Sequence, residues 1–461
     1  MRWASVQASG PRPLTYIPAL LAGVLCLQAA HARADGAIDA WASWALAPKV
    51  WKGQTVPAPD PTPRPAGAFI RLDSLELPIH VHVPAGSSSA RATRTLSALE
   101  AAYLTLRALD WPLPAFDGGY GGSAGFDLYV VPRGQCAGAC AAVDGLLAPI
   151  ATSDFDAAQT YGLIAADLPA SALRACAQSA LAQAGLRAVD PSEAESWVRA
   201  SAELSVWQTT GSMGCDESFV RGQLAPEQGL LNADPSSGDA GALLLAMLAE
   251  RVERTPFTWL KSLWETTRQR SRDLVPVDRL RSSPDLWEVL RVMLDQQHVT
   301  LEDELLELSA ARYFAGPSAR REQAPYRFLA ALPSEAAVPI ARELESAQLP
   351  AHVIDGPLLR ALGSVYVRVR LSDATRREQL RLWLRAEVGP RWAMTAVRLD
   401  GAGRELGRMS APPREVPNSF LPVAIDTETA EVIVVITQLP KHTPDADRRE
   451  DGVHGYELIV D

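Results

Sequence analysis

The sequence predicts an α+β protein in which a mainly helical domain is followed by an all-β sandwich domain. Apolar residues recur at helical spacing through most of the first two thirds of the chain. After Ser334 they alternate or run at strand length between turn signals such as Asp-Gly. A chain of 461 residues also exceeds what one hydrophobic core usually holds. We therefore expect two domains, residues 67–333 and 334–461.

Residues 1–34 are predicted to be a secretory signal peptide. Arginines supply a positive start, residues 17–27 an apolar centre, and residues 32–34 (Ala-Arg-Ala) a small-x-small cleavage site. We expect an exported protein, periplasmic or extracellular, with no transmembrane segment after cleavage. A lipoprotein anchored through Cys26 is the less favoured alternative, because the residue before that cysteine is leucine rather than a small residue.

The charge of the chain argues against two classes of partner. Removing the signal takes away three arginines and no acidic residue, which leaves 41 basic and 54 acidic side chains and a formal net charge of −13. An acidic chain without a basic cluster does not attract phosphate backbones or anionic lipids. We therefore expect no nucleic acid partner and no anionic membrane partner.

The remaining elements follow in chain order. Residues 35–66 are expected to be a tryptophan-containing segment and a linker, stiff and extended where proline occupies every second position (56–65). The first domain is expected to contain a strand at 77–83, a helix at 90–109, a strand at 126–131 and mainly helical structure at 158–315. The second is expected to contain strands at 365–371, 380–385, 395–399, 432–436 and 456–460.

Four cysteines remain after signal cleavage, and an even number in an exported protein suggests two disulfides. Antiparallel helices at residues 172–188 and 192–210 would place the start of the first, near Cys176, beside the end of the second, near Cys215. The glycine-containing residues 136–140 can close a small loop of their own. Among the three possible pairings we therefore favour Cys136–Cys140 with Cys176–Cys215. Four free thiols are the alternative.

The run Trp-Pro-Leu-Pro-Ala-Phe-Asp-Gly-Gly-Tyr at residues 111–120 and the Tyr-bearing strand after it resemble a family of secreted bacterial zinc metalloproteases. In that family a long helix ends in tryptophan, an Asp-Gly-Gly loop follows, and a strand leads toward a helix with the motif His-Glu-x-x-His. The resemblance extends over residues 70–315. It implies a metalloprotease-like fold for the first domain.

The resemblance also implies that this chain is a degenerate member. The two motif histidines would fall at Gln178 and Ala182, the catalytic glutamate at Ser179 and the third ligand at Arg199. Zinc needs imidazole, carboxylate or thiolate ligands, and its bound water needs a base. No other register helps, because residues 83–297 contain no histidine. We therefore expect no metal, no other cofactor and no zinc-dependent proteolysis. A helical hairpin that never held zinc is the alternative, with the same consequence.

We accordingly expect a non-catalytic binding or scaffold protein whose partner is an unknown protein, peptide or envelope ligand. The alternative is a hydrolase with a site elsewhere. Ser123 formally matches Gly-x-Ser-x-Gly, although a glycine loop rather than a strand precedes it. His80 and His82 lie two apart on a strand, so both point to one face and could bind a metal. Three glutamates near the predicted helical hairpin are expected to be solvated: Glu193, Glu195 and Glu203.

Overall fold

The computed structural model describes residues 55–119, 122, 124–146, 156–231, 238–252, 256–268, 279–316, 326–372, 378–414, 418–440 and 452–461. They belong to one compact unit, Trp51–Asp461. The expected signal peptide, the tryptophan-containing segment up to residue 54 and Ser123 lie outside the described residues. Both helices and sheets are present, which confirms the α+β class. Within the described part of the chain, no helix has the length and apolar character needed to cross a membrane.

A five-stranded mixed sheet organises the first half. Its strands lie in the order β2 (Phe69–Asp73), β3 (Ile79–Pro84), β4 (Phe126–Val131), β6 (Ala158–Ala165) and β5 (Ala139–Leu146). The central strands β3, β4 and β6 are parallel, and the two edge strands are antiparallel to their neighbours. A helix, α1 (Ser89–Ala108), connects β3 to β4. The expected strand at 126–131 and helix at 90–109 are thus present.

Strand β6 corrects the prediction that mainly helical structure begins at residue 158. Its side chains are almost all buried, because parallel central strands are covered on both faces. Such a strand carries no alternation of apolar and polar residues, and its period is therefore uninformative. Gly162 in its middle allows close packing, since a Cβ there would overlap Phe126 and Leu128.

Helices dominate the chain between β6 and residue 331. Their bounds are α2 (Leu173–Arg187), α3 (Glu195–Thr210), α4 (Ser218–Leu224), α5 (Gly241–Val252), α6 (Pro256–Thr267), α7 (Leu286–Gln296), α8 (Leu301–Ala311) and α9 (Arg327–Ala331). Local capping explains several of these ends. Asp285 forms a capping box with Glu288 at the start of α7, and Thr300 caps α8. Gly211 ends α3 in the left-handed conformation.

The second half consists of two sheets with a common core. The five-stranded sheet has the order β13 (Glu405–Arg414), β12 (Arg391–Leu399), β15 (Glu431–Leu439), β10 (Ser364–Arg370) and β8 (Ile340–Glu345). The four-stranded sheet has the order β14 (Asn418–Ala424), β11 (Gln379–Ala386), β16 (Tyr456–Val460) and β9 (Ala351–Val353). Inward-facing side chains of both sheets form one buried cluster, which includes Trp392.

The two sheets differ in what covers their outer faces. The five-stranded sheet packs against α8 and the turn after it, where Tyr366, Ile433 and Phe314 form a second buried cluster. The Tyr366 hydroxyl also donates a hydrogen bond to the Ser309 carbonyl at 2.7 Å. The outer face of the four-stranded sheet instead carries exposed side chains along β11 and β14. The domain boundary expected at 333/334 stays a prediction, with β8 the first strand after it.

Candidate functional site

The α2–α3 pair is the region in which the resemblance placed a zinc site, and α2 is buried along almost its whole length. Small residues allow this burial, because alanine and glycine let neighbouring elements approach the helix closely. At Gly185 a Cβ atom would overlap the Pro112 carbonyl. At the other end of α2, Cys176 and Cys215 form a disulfide. Cys136 and Cys140 form the second disulfide, so both predicted pairs are present.

The central polar contact of this region joins Ser179 on α2 to Glu203 on α3. Both residues are buried, with exposed fractions of 0% and 2%. The Ser179 hydroxyl donates to Glu203 Oε1, while Gln183 Nε2 donates to Ser179 Oγ at 3.1 Å. The second carboxylate oxygen, Oε2, accepts from the Ser218 hydroxyl at 3.0 Å and from the Cys215 amide. We call these five groups the Glu203 network.

Burial and charge both act on the Glu203 carboxyl. Its removal from water, together with the neighbouring Asp239 carboxylate, raises the pKa of Glu203 to about 7. The hydrogen bonds from Ser179, Cys215 and Ser218 act in the opposite direction and only partly offset this. A carboxyl with such a pKa could serve in acid–base chemistry. Here, however, both of its oxygens already accept hydrogen bonds from the protein.

The residues at the three expected ligand positions do not fit a zinc ion. Gln178 Nε2 donates to the Thr209 hydroxyl at 2.6 Å, and the Gln178 carbonyl oxygen is a neutral amide oxygen. Ala182 has no donor atom. Arg199 forms a buried ion pair with Asp239, so a cation occupies the third-ligand position. Zinc requires several anionic or imidazole ligands. The described residues include no group of three or more His, Cys, Asp or Glu side chains that could hold a metal.

The outer edge of β5 is also occupied by the protein itself. An edge strand presents unpaired backbone groups to which an extended peptide can add. The Gln183 side-chain amide bonds to both the Ala139 carbonyl and the Ala141 amide, each at 3.2 Å. Further along the strand, the Thr62 amide donates to the Val143 carbonyl at 2.7 Å. A peptide could add to this edge only by displacing these contacts.

Thr62 belongs to the proline-rich segment, which is docked on the protein rather than free as a spacer. At its start, β1 (Thr55–Pro57) pairs with β7 (Arg279–Arg281). Near its end, the Tyr161 hydroxyl donates to the Pro63 carbonyl at 2.9 Å. Residues 56 and 57 belong to strand β1, and the extended conformation expected for residues 58–65 stays a prediction. The docking was not predicted, because it depends on side chains that are distant in sequence.

Arg64 anchors this segment in an acidic pocket. Its guanidinium forms ion pairs with three buried carboxylates and lies over the Tyr161 ring at 5.2 Å from the centroid. The carboxylates belong to Asp117, Asp127 and Asp144. Burial by itself lowers the pKa of an arginine, but the hydrogen bonds to Asp144, Asp127 and Tyr129 raise the pKa of Arg64 above its usual value. The pocket therefore holds a permanently charged side chain of the same chain.

His80 and His82 contact different carboxylates. His82 Nε2 lies 2.7 Å from Asp127 Oδ1, and its ring stacks on Tyr129 with centroids 4.2 Å apart. His80 Nδ1 lies 2.7 Å from Asp73 Oδ1. The carboxylate that His82 contacts also binds Arg64, and a guanidinium repels a metal cation at this distance. The geometry therefore disfavours a metal site at these two histidines.

Two of the three glutamates near the helical pair are buried, which corrects the expectation that all three are solvated. Glu193 accepts backbone hydrogen bonds from Ala194 at 2.9 Å and from Leu286 at 2.6 Å. Burial and the nearby Asp190 carboxylate raise the pKa of Glu193 to about 8. Glu203 is the second buried residue, and the sequence did not reveal its burial. Its spacing from Ser179 gave no signal, because their contact depends on how α2 and α3 cross.

The outer face of the four-stranded sheet contains a second polar and aromatic site. A cleft of about 590 Å³ lies there, lined by Trp383, Arg385, Asn418, Ile459 and Asp461, with Pro350 and Leu384. The sequence carried a signal for it, since β11 alternates leucine with Arg381, Trp383 and Arg385. Tryptophan in the polar register of a strand is solvent-exposed. We refer to this site as the Trp383 cleft.

Comparisons with known proteins do not assign the chain to a family: no protein-family model matches it, and no curated protein matches it.

Proposed function

We propose that this protein is a non-catalytic, exported binding or scaffold protein whose first half derives from a metalloprotease-like fold. The observation that carries the proposal is the closed Glu203 network. The hydroxyl at the position of the catalytic glutamate, Ser179, donates to Glu203, whose carboxylate oxygens both accept protein hydrogen bonds. Such a site offers no base to a water molecule and no ligands to a metal.

Further support comes from the surroundings of that network. In a protease of the proposed ancestry, a substrate strand would have to reach the region between α2 and the sheet edge. Here the Gln183 amide and the Thr62 amide bond to the edge of β5. Arg64 holds the proline-rich segment in place through three carboxylates. In the first half of the chain, groups of the protein itself thus occupy both the Glu203 network and the outer edge of β5. This favours a structural role for the first half.

The binding surface is better sought on the second half, which we interpret as a β-sandwich. Support for that interpretation is the common core of its two sheets, one of which is covered outside by α8. The outer face of the other sheet carries the Trp383 cleft. Support for export is the pair of disulfides, since such bonds persist in oxidising compartments.

A hydrolase acting through Ser123 is the alternative. One observation favours it: His80 is hydrogen-bonded to Asp73, which is the arrangement of a general base and its orienting carboxylate. Ser123 lies outside the described residues. A fluorophosphonate probe distinguishes the two functions. We expect no labelling of the mature protein, whereas labelling that disappears in Ser123→Ala would establish the hydrolase and overturn the proposal.

The metal content of purified protein comprising residues 35–461 tests whether the protein binds zinc. After exhaustive dialysis we expect elemental mass spectrometry to find no stoichiometric zinc, and we expect no cleavage of casein with or without added Zn²⁺. One zinc per chain that is lost in a His80→Ala/His82→Ala variant would contradict the non-catalytic interpretation. A matched control is His352→Ala, which removes an exposed histidine from the second half.

A further inference from the structure

The Trp383 cleft is centred on a row of apolar side chains that crosses three strands. Trp383 on β11 is paired with Phe420 on β14 and with Ile459 on β16. The exposed fractions of Trp383 and Phe420 are 44% and 43%, and their ring centroids lie 4.3 Å apart at an interplanar angle of 37°. Neighbouring strands are about 4.8 Å apart, so the row is about 10 Å long.

The core does not require these rings. Leu380, Leu382 and Leu384 of β11 point inward and are fully buried, whereas Trp383 points to the opposite face. A polar residue at position 383 would leave the core contacts of the strand unchanged. Two large aromatic side chains, adjacent and exposed on one sheet face, therefore point to a binding role.

The polar groups beside the row indicate a neutral ligand. Arg385 and Asn418 lie on one side of it, and Arg381 and Asp461 on the other. The charges are already balanced within the face: Arg385 pairs with Glu457 at 3.2 Å, and Arg381 lies 4.0 Å from Asp461. Among the described side chains of this face, these two pairs leave no excess of either sign to attract an anion or a cation. Planar amide, carboxylate and guanidinium groups nevertheless offer many donors and acceptors to hydroxyl groups.

The size of the apolar row argues against a protein partner. A stable protein interface buries about 800 Å² on each side, with few charged residues at its centre. Here three apolar side chains are bordered immediately by ionised groups. A pyranose ring fits better, because one of its faces presents C–H groups and its rim presents hydroxyls. A row of about 10 Å accommodates two such rings, and a cleft of about 590 Å³ has the size of a small-ligand site.

We propose that the Trp383 cleft binds a neutral oligosaccharide, with sugar rings stacked on Trp383 and Phe420 and hydroxyls bound by Arg385 and Asn418. This inference deepens the proposed function and rests on it, since it names the ligand class of a binding protein. It places recognition on the four-stranded sheet and leaves the Glu203 network with no part in binding.

Titration calorimetry with cellotriose, chitotriose, maltotriose and xylotriose tests the inference, together with retention on insoluble cellulose and chitin. We expect at least one probe to bind, Trp383→Ala to weaken that binding at least tenfold, and Trp383→Phe to weaken it less. Phe116→Ala removes an exposed aromatic ring of the first half (60% exposed) and is expected to leave binding unchanged. Thermal unfolding of each variant checks that the fold is intact.

Absence of binding to every probe, or equal binding by the parent protein and Trp383→Ala, would overturn the inference. The proposed function fails on a different readout. Labelling at Ser123 or sugar hydrolysis would refute the non-catalytic role even if Trp383 were required for binding. Lack of sugar binding without any catalysis would refute only the assignment of the ligand.

Discussion

The Ser179 hydroxyl donates a hydrogen bond to the Glu203 carboxylate across the α2–α3 pair, 24 residues apart in sequence. Both side chains are buried, and the carboxylate is further held by the Cys215 amide and the Ser218 hydroxyl. A buried carboxyl without such donors would be far more costly. The network thus makes an acidic residue acceptable inside a tightly packed helical pair.

The raised pKa of Glu203 predicts that stability falls as pH rises. The folded protein binds this proton up to about pH 7, whereas a glutamate in the unfolded chain releases it near its model value of 4.5. Unfolding therefore releases a proton in this window, and the free energy of unfolding decreases with pH, on the order of 3 kcal/mol for this group. Asp190 and Glu193, with pKa values raised to about 6 and about 8, act in the same direction.

Urea unfolding at several pH values between about 5 and 8 measures this slope. Glu203→Gln removes the titrating group but keeps its shape, and we expect it to make the slope clearly shallower. Glu335→Gln changes an exposed glutamate and should leave the slope unchanged. A slope that is identical in Glu203→Gln and the parent protein would show that Glu203 does not titrate in this range.

Gly214 is predicted to be required by the same network. It has φ of 85°, and a Cβ atom there would overlap Glu203 Oε2 and Ser218 Oγ. We expect Gly214→Ala to destabilise the protein by about 3 kcal/mol, from backbone strain together with overpacking. Gly211→Ala is the control for a positive φ without steric overlap, since Gly211 is in the left-handed conformation and nothing lies within 4 Å of the added atom. It should cost only about 1 kcal/mol. Equal losses in chemical denaturation would rule out the steric account.

The two disulfides are predicted to contribute unequally. Cys176 and Cys215 are 39 residues apart, whereas Cys136 and Cys140 are 4 apart. Loop-closure entropy then predicts a stabilisation of about 4 kcal/mol for the long loop and about 2 kcal/mol for the short one. Calorimetric melting of the two double alanine variants gives the comparison. A larger loss from the short-loop variant would show that loop entropy does not control this difference.

Arg64→Ala is expected to be strongly destabilising, because it leaves the carboxylates of Asp117, Asp127 and Asp144 without their shared cation. Removal of one partner from a buried ion pair costs about 3–5 kcal/mol. Arg133→Ala also removes an arginine that pairs with two aspartates, but that arginine is 42% exposed, and we expect a loss below about 1 kcal/mol. The free energies of unfolding of the two variants test this. Similar values for both would mean that burial of the Arg64 pocket has no energetic consequence.

Several features of this protein follow from the sequence alone. The helix at residues 90–109 and the strand at residues 380–385 were predictable, because each carries a hydrophobic period of its own. Helix α2 is buried on all sides and has no such period, so its prediction rested on the resemblance. The disulfide pairing followed from the antiparallel order of two helices. The absence of zinc ligands at Gln178, Ser179 and Ala182 is a property of residue types, and no fold can change it.

Other features were decided only by the tertiary structure. Glu203 contacts Ser179, and Arg64 reaches Asp144, over separations of 24 and 80 residues, for which no local pattern exists. Strand β6 was missed because a strand buried on both faces has no period. The sequence placed Trp383 within a strand, but only the register set it beside Phe420 and Ile459. A local sequence pattern indicates which side chains of a segment face the core and which face solvent. Contacts between side chains that are distant in sequence depend on how the segments pack against one another.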